Sequence, residues 1–201
     1  MATTHKRLDR RVERTRHLLQ QAFREVVQEK GFTATSIQDI TERANVSRGT
    51  FYLHFADKYM LLDRFVREDM QHLLASSLPS NSRWDKPTLR LLIHTLLNYF
   101  ERKYHHQRHI PQAVSPLVER AVHEELTALL LTWLKQSEDQ GTSWRVPKET
   151  IARITSWAIF GVVLDWSQEE TTNSVEQMTD DVLLVMINGV ACLAGPYALP
   201  E

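Results

Sequence analysis

The stretch Thr35–Lys58, TSIQDITERANVSRGTFYLHFADK, packs two short helices and a tight turn into a few lines of sequence. Thr35 as N-cap with Gln38 three residues on fits a capping box, and Ile40 and Ala44 then share one face, which predicts a helix over about 36 to 44. Asn45 and Val46 form a tight connection. Ser47 can cap a third helix, about 47 to 54, whose inward residues are Phe51 and Phe55, and Asp57 can cap a fourth. Such a pair fits a helix-turn-helix, whose second helix must be slim enough to enter a DNA major groove. Its outward residues suit that task. Arg48 can reach guanine O6/N7 or a phosphate, Thr50 offers a hydroxyl and a methyl, Tyr52 and His54 can donate to phosphates, and Gly49 allows close approach. Lys58 places a charge beside the start of the next helix, at a candidate phosphate position.

Upstream, Leu18/Leu19, Ala22/Phe23 and Val26/Val27 recur as a doublet every fourth residue, the mark of one helix face, and Gly31 closes that helix as a C′ glycine would. Downstream, Met60, Leu61, Leu62, Phe65, Met70, Leu73 and Leu74 define a longer helix that stops near Pro79, the first of seven prolines. Further helices follow from Leu89 to Tyr104, from Leu117 to Gln140 (stopped by Gly141), from Pro147 to about Gln168, and from Ser174 to Ala194. No segment alternates with period two over a strand's length, so the expected class is all-α.

Composition agrees with a packed chain: of 201 residues, 42% are hydrophobic and 24% charged. The net charge of −1 hides an uneven distribution. Residues 1–55 hold ten Lys/Arg against six Asp/Glu, whereas residues 71–201 hold eleven against fifteen, so only the N-terminal end suits a polyanion. Within the first segment, Lys6, Arg7, Arg10, Arg11, Arg14 and Arg16 form either a DNA-binding arm or a solvated helix end. The one cysteine, Cys192, excludes an internal disulfide and suggests a reducing compartment. With no signal-type apolar segment and no stretch near membrane-spanning length, a cytoplasmic protein without membrane contact is expected. There is no phosphate loop, no His-Glu-x-x-His and no recognisable nucleophile context, and Asp180 and Asp181 diverge by about 100° on a helix. An enzyme is not expected, and neither is a cofactor.

Several positions together resemble a known family. Gly31-Phe32, the Thr-Ser before the second helix, Ile40 and Ala44, the run Val46 to Tyr52, then Phe55, Lys58, Leu61 and Leu62 are similar to the N-terminal domain of the TetR/AcrR transcriptional regulators over residues 10–66. The resemblance implies a homodimer that binds a palindromic DNA operator, usually as a repressor, and releases it when a small-molecule effector occupies the C-terminal helices. It implies a three-helix DNA-binding domain over residues 1–56, an effector-binding and dimerisation domain over 57–201, and about nine helices. By position, it places Thr35, Arg48, Gly49, Thr50, Tyr52, His54 and Lys58 at DNA, with His54 standing where family members often carry an aromatic.

The C-terminal part is read from its own residues. In the last helix Val175, Met178, Val182, Val185, Gly189 and Cys192 follow heptad-like spacing while other faces are apolar too, and the helix before it aligns Ile154, Ala158 and Gly161. The pair is either a subunit interface, as the resemblance implies, or a hairpin buried in the monomer. Phe100, Tyr104, Trp133, Trp157 and Phe160, with Trp166, either line an effector pocket or fill the core. His105, His106 and His109, and the pairs Glu101/His105 and Glu119/His123, have spacings open to a metal, but without further ligands they read as surface polar groups and no metal is expected. Two rival readings remain: a small-molecule carrier or enzyme that lost DNA binding, and a regulator controlled by a protein partner.

Overall fold

A computed structural model describes residues 2–104, 114–139, 141, 143–168 and 173–193, with the side chains of 2–10, 104 and 190–193 excepted. The described residues form eight helices: α1 Ala2–Ala34, α2 Ile37–Arg43, α3 Arg48–Tyr52, α4 Lys58–Ser77, α5 Lys86–Tyr104, α6 Ser115–Asp139, α7 Lys148–Gln168 and α8 Val175–Leu193. The all-α class holds, with no strand among these residues. Eight helices among the described residues agree with the expected number of about nine, and the chain bends within α1 at Gly31 and within α8 at Gly189, both at positive φ.

Two compact units emerge, Met1–Glu68 with Pro111–Val118, and Asp69–Ile110 with Glu119–Glu201. In the first, Leu19, Phe23, Ile40, Phe51 and Leu61 are almost wholly buried. Phe23 meets Phe32 and Phe65 edge-on, at 6.2 and 5.7 Å between ring centroids, so the first half of α4 packs with α1. Arg43 reaches back from α2 to Glu25 and Glu29 on α1, at 3.1 and 2.7 Å. These exposed pairs align α2 more than they stabilise it.

The helix ends correct one sequence expectation. The N-cap of α2 is Ser36, not Thr35: Ser36 Oγ accepts from Asp39 N at 3.2 Å and the Asp39 carboxylate accepts from Ser36 N at 2.7 Å. Asp39, not Gln38, therefore completes the box. The reason lies in how α1 ends. Gly31 turns the chain with φ 78°, Thr35 N donates to Phe32 O and Thr35 Oγ1 to Gly31 O, so Thr35 still belongs to the first helix's closure. Ser36 is the first extended residue after it.

Between α2 and α3 the chain makes a Schellman closure. Val46 N donates to Thr41 O and Asn45 N to Glu42 O, with Asn45 left-handed at φ 52°. The expected caps Ser47 and Asp57 are both present, Ser47 Oγ accepting from Thr50 N at 3.0 Å and Asp57 Oδ1 from Tyr59 N and Met60 N.

In the second unit α5 supplies the central row Leu92, Ile93, Leu96, Leu97 and Phe100, nearly all inaccessible. Phe100 meets Phe160 of α7 at 5.7 Å, and Arg90 of α5 pairs with Glu176 and Asp180 of α8. Of the heptad-spaced residues along α8, Val182 is buried, Val175 and Met178 are half-buried, and Val185 and Gly189 are exposed in the single chain. Thr179, Val182 and Leu183 turn inward while Val185 is exposed, on a helix that packs with α5 and bends at Gly189. Between α6 and α7 lies a buried polar pair. Ser156 Oγ donates to His123 O at 3.0 Å and sits 2.8 Å from His123 Nδ1, a contact whose donor follows the ring's tautomer. Burial, aided by Arg153 and opposed by Glu124, holds the His123 pKa below its ordinary 6.5.

Two predictions follow from these contacts. An L-residue without a short polar side chain is strained at the Asn45 conformation, so Asn45→Val should cost about 1–2 kcal/mol in urea unfolding while Asn45→Gly is tolerated. Because His123 is more readily protonated unfolded than folded, its contribution is complete above pH 6.5 and is lost as pH falls below 6.5 toward the lowered folded value. Stability measured against pH should therefore decline less steeply in that window for His123→Asn than for the unmodified protein.

Candidate nucleic-acid interface

α3 is held from beneath by Phe51, which is fully buried, and by Phe55, 5.8 Å away between ring centroids. Arg48 and Gly49 open the helix on its exposed side. No hydrogen bond or ion pair to another described residue engages the Arg48 guanidinium, which leaves five N–H donors for an outside acceptor. Tyr52 is 51% exposed and braced edge-on against Phe51, so its hydroxyl is carried outward on a fixed ring. Thr50 is half-buried, its hydroxyl 2.9 Å from Ser47 Oγ, which ties it to the cap.

His54 is half-buried after the last turn of α3. Burial first, and Arg16 of α1 second, hold its pKa below 6.5, with Glu13 opposing. Near neutral pH it can offer one N–H but no charge. Arg11 and Arg14 of the basic segment are exposed, Arg16 pairs with Glu13 at 3.0 Å, and the side chains of Lys6, Arg7 and Arg10 lie outside the described residues.

Two of the expected contact residues face elsewhere. Thr35 is 2% exposed with its hydroxyl turned to Gly31 O. Lys58 points its ammonium at three backbone carbonyls of the α1–α2 corner. Arg48, Gly49 and Tyr52 are thus exposed and Thr50 and His54 half-buried, in α3 and just after it, while Thr35 is buried and the Lys58 ammonium is engaged by backbone carbonyls. The structure also adds Leu53, 83% exposed and the most accessible large apolar side chain described. Helical geometry held the signal: Leu53 lies about 200° around the helix from the buried Phe51.

The effector candidates divide as well. Phe100, Trp133 and Phe160 are buried, whereas Trp157 is 47% exposed and stacks on His123 at 4.2 Å. The Tyr104 side chain and residues 105, 106 and 109 lie outside the described set. A shallow groove of about 380 Å³ is lined by Trp144, Arg145, Val146, Ile151, Ile154 and Thr155, and not by Phe100, Trp133, Trp157 or Phe160. Among the described residues no group of three or more His, Cys, Asp or Glu could hold a metal, and no helix is long and apolar enough to cross a membrane.

Comparison with known proteins bears on the same segment. The family model for the bacterial regulatory proteins of the tetR family matches residues 19–65. An uncharacterised HTH-type transcriptional regulator of Bacillus subtilis (strain 168), YxbF, is 30% identical over 173 residues, 74% of this chain and 45% of the relative. The chain therefore spans less than half the length of that relative. In fold it is similar to Thermus thermophilus FadR, a TetR family transcriptional repressor solved with lauroyl-CoA (TM-score 0.58, 21% identity, 92% of this chain and 100% of that one). It is similar too to RolR solved with resorcinol (TM-score 0.60, 18% identity, 88% and 87%). The matched segment holds the capped α2, the left-handed turn at Asn45 and the exposed face of α3, and over residues 19–65 the chain carries the helix-turn-helix domain of the bacterial regulatory proteins of the tetR family.

Proposed function

We propose that the protein is a DNA-binding transcriptional regulator, a cytoplasmic homodimeric repressor that holds a palindromic operator and leaves it when a small-molecule effector binds. The observation that carries this reading is the exposed, unengaged Arg48 on a helix that is capped by Ser47 and anchored through Phe51. Residues 1–56 serve as the DNA-binding domain and 57–201 as the effector-binding and dimerisation domain. Each α3 enters a major groove, and two of them about 34–36 Å apart, or a whole number of turns apart, match a two-fold site.

Dimerisation is supported by an apolar surface on the last two helices. Ile154, Trp157 and Val162 of α7 and Leu184, Val185 and Ile187 of α8 are 39–64% exposed, more than an isolated chain needs to leave in water. The ligands of FadR and RolR belong to those proteins. For this chain they motivate an effector among the C-terminal helices, near the buried pair Phe100 and Phe160, and such an effector acts by binding the non-DNA state better.

The reading is tested by selecting DNA from a random-sequence pool with the purified protein at several salt concentrations. Recovery of a palindrome, with affinity falling steeply as salt rises, is expected. Only sequence-independent binding would overturn it in favour of a carrier. On the selected operator, Arg48→Ala should cost about 1–3 kcal/mol and relax specificity at one base pair if the arginine reads a base, or weaken all sequences alike if it holds phosphate. Ile187→Glu should yield monomers by light scattering, with helicity retained and operator affinity lost.

A further inference from the structure

Lys58 opens α4, and its Nζ lies 2.8 Å from Thr35 O, 3.1 Å from Phe32 O and 3.3 Å from Thr33 O. The same Nζ stands 4.6 Å from the centroid of the Phe32 ring. An ammonium carries three N–H donors and no acceptor, so three carbonyls satisfy it completely. Those carbonyls belong to the corner that follows Gly31, where the Phe32 carbonyl also accepts from Thr35 N. A cation in the first turn of α4 sits at the unfavourable, positive end of that helix's own dipole. The α1 corner supplies the counterweight.

One side chain therefore closes a loop. Thr35 O immediately precedes the Ser36 cap that starts α2, and Lys58 immediately follows the Asp57 cap that starts α4. Everything between them, α2, the Asn45 turn and α3, is pinned at its base by the Lys58 contact. We infer that Lys58 is a positioning residue: an internal ammonium clamp that fixes the helix-turn-helix between the end of α1 and the start of α4, and not a phosphate ligand. A phosphate oxygen gains an N–H from this group only by displacing a backbone carbonyl.

The inference rests on the DNA-binding reading above, and the experiment separates the two. Urea unfolding midpoints and the slope of log affinity against log salt are measured on the selected operator for the unmodified protein, Lys58→Met and Lys58→Arg. A clamp predicts that both variants unfold at lower urea. It also predicts that Lys58→Met binds more weakly at every salt concentration, by about tenfold, with the slope unchanged. Arginine keeps the charge, but its flat guanidinium cannot converge three N–H groups on three carbonyls, so it restores neither property. A phosphate ligand predicts the opposite: an unchanged midpoint, a slope shallower by about 0.9 for Lys58→Met, and recovery by Lys58→Arg. That result overturns the inference.

If Lys58→Met does not fold, nitrogen-15 spectra of the lysine ammonium groups in the unmodified protein decide. A slowly exchanging Lys58 signal that stays in place when operator is added supports the clamp, and one that appears or moves with operator overturns it. Failure of the unmodified protein to select any sequence would strike the regulator reading alone. The clamp would then stand or fall on the two unfolding midpoints.

Discussion

Five residues of α-helix make too few hydrogen bonds to offset the cost of nucleation, so α3 exists only because the surrounding fold holds it. Its single wholly buried side chain is Phe51, and one turn on, just past the helix, Phe55 adds the second hold. That constraint shapes the rest of the first unit. A helix meant for a groove has to leave most of its circumference bare, so rigidity cannot come from lateral packing and comes from its ends. Ser47 satisfies the first turn, and the backbone of Leu53 to Phe55 closes on Gly49 and Phe51. The helix-turn-helix is thus less a pair of helices than a chain of satisfied termini with a phenylalanine at its centre.

The termini explain which residues are free to act. A polar side chain used in closing a helix is unavailable to a ligand, and in this corner several have been used: Thr35 on Gly31 O, Ser36 and Asp39 on each other, Asp57 on the start of α4. Lys30 and Ser36 together keep the Asp39 carboxyl well below the usual carboxylate range, so it stays charged as a cap throughout the working pH range. What is left over, Arg48, Tyr52 and the exposed Leu53, is the part that faces outward. Function here is a residue of structural accounting.

Much of this was legible in the sequence. Phe51 and Phe55 repeat at four, Ser47 and Asp57 stand where orphan amides need an acceptor, and Gly31 is the residue a left-handed exit demands. These signals are local, and local geometry decided them. Thr35 and Ser36 are equivalent N-caps by residue type, and only the path out of Gly31 makes Ser36 the cap. Lys58 reads as a phosphate position because its backbone-carbonyl partners, more than twenty residues away, carry no letter in the sequence. In α8 the spacing is compatible with two stripes, and the fold buries Thr179, Val182 and Leu183 on a helix that packs with α5. Tertiary neighbours, not periodicity, select a face on a helix that is apolar nearly all round.

That same ambiguity has a physical meaning in α7. Its inner side buries Ile159, Phe160 and Val163, with Phe160 against Phe100, while its outer side exposes Ile154, Trp157 and Val162. Trp157 is not loosely exposed, since it lies stacked on His123, whose ring is fixed by Ser156 from the same helix. An interior this tightly packed does not deform continuously, so a ligand that moved Phe160 would shift a stiff helix whose far face carries the apolar surface. On the regulator reading, effector and dimer partner therefore need no relay between them. On that proposal they would meet opposite faces of one helix, and the ligand would alter the dimer by moving the element both of them touch.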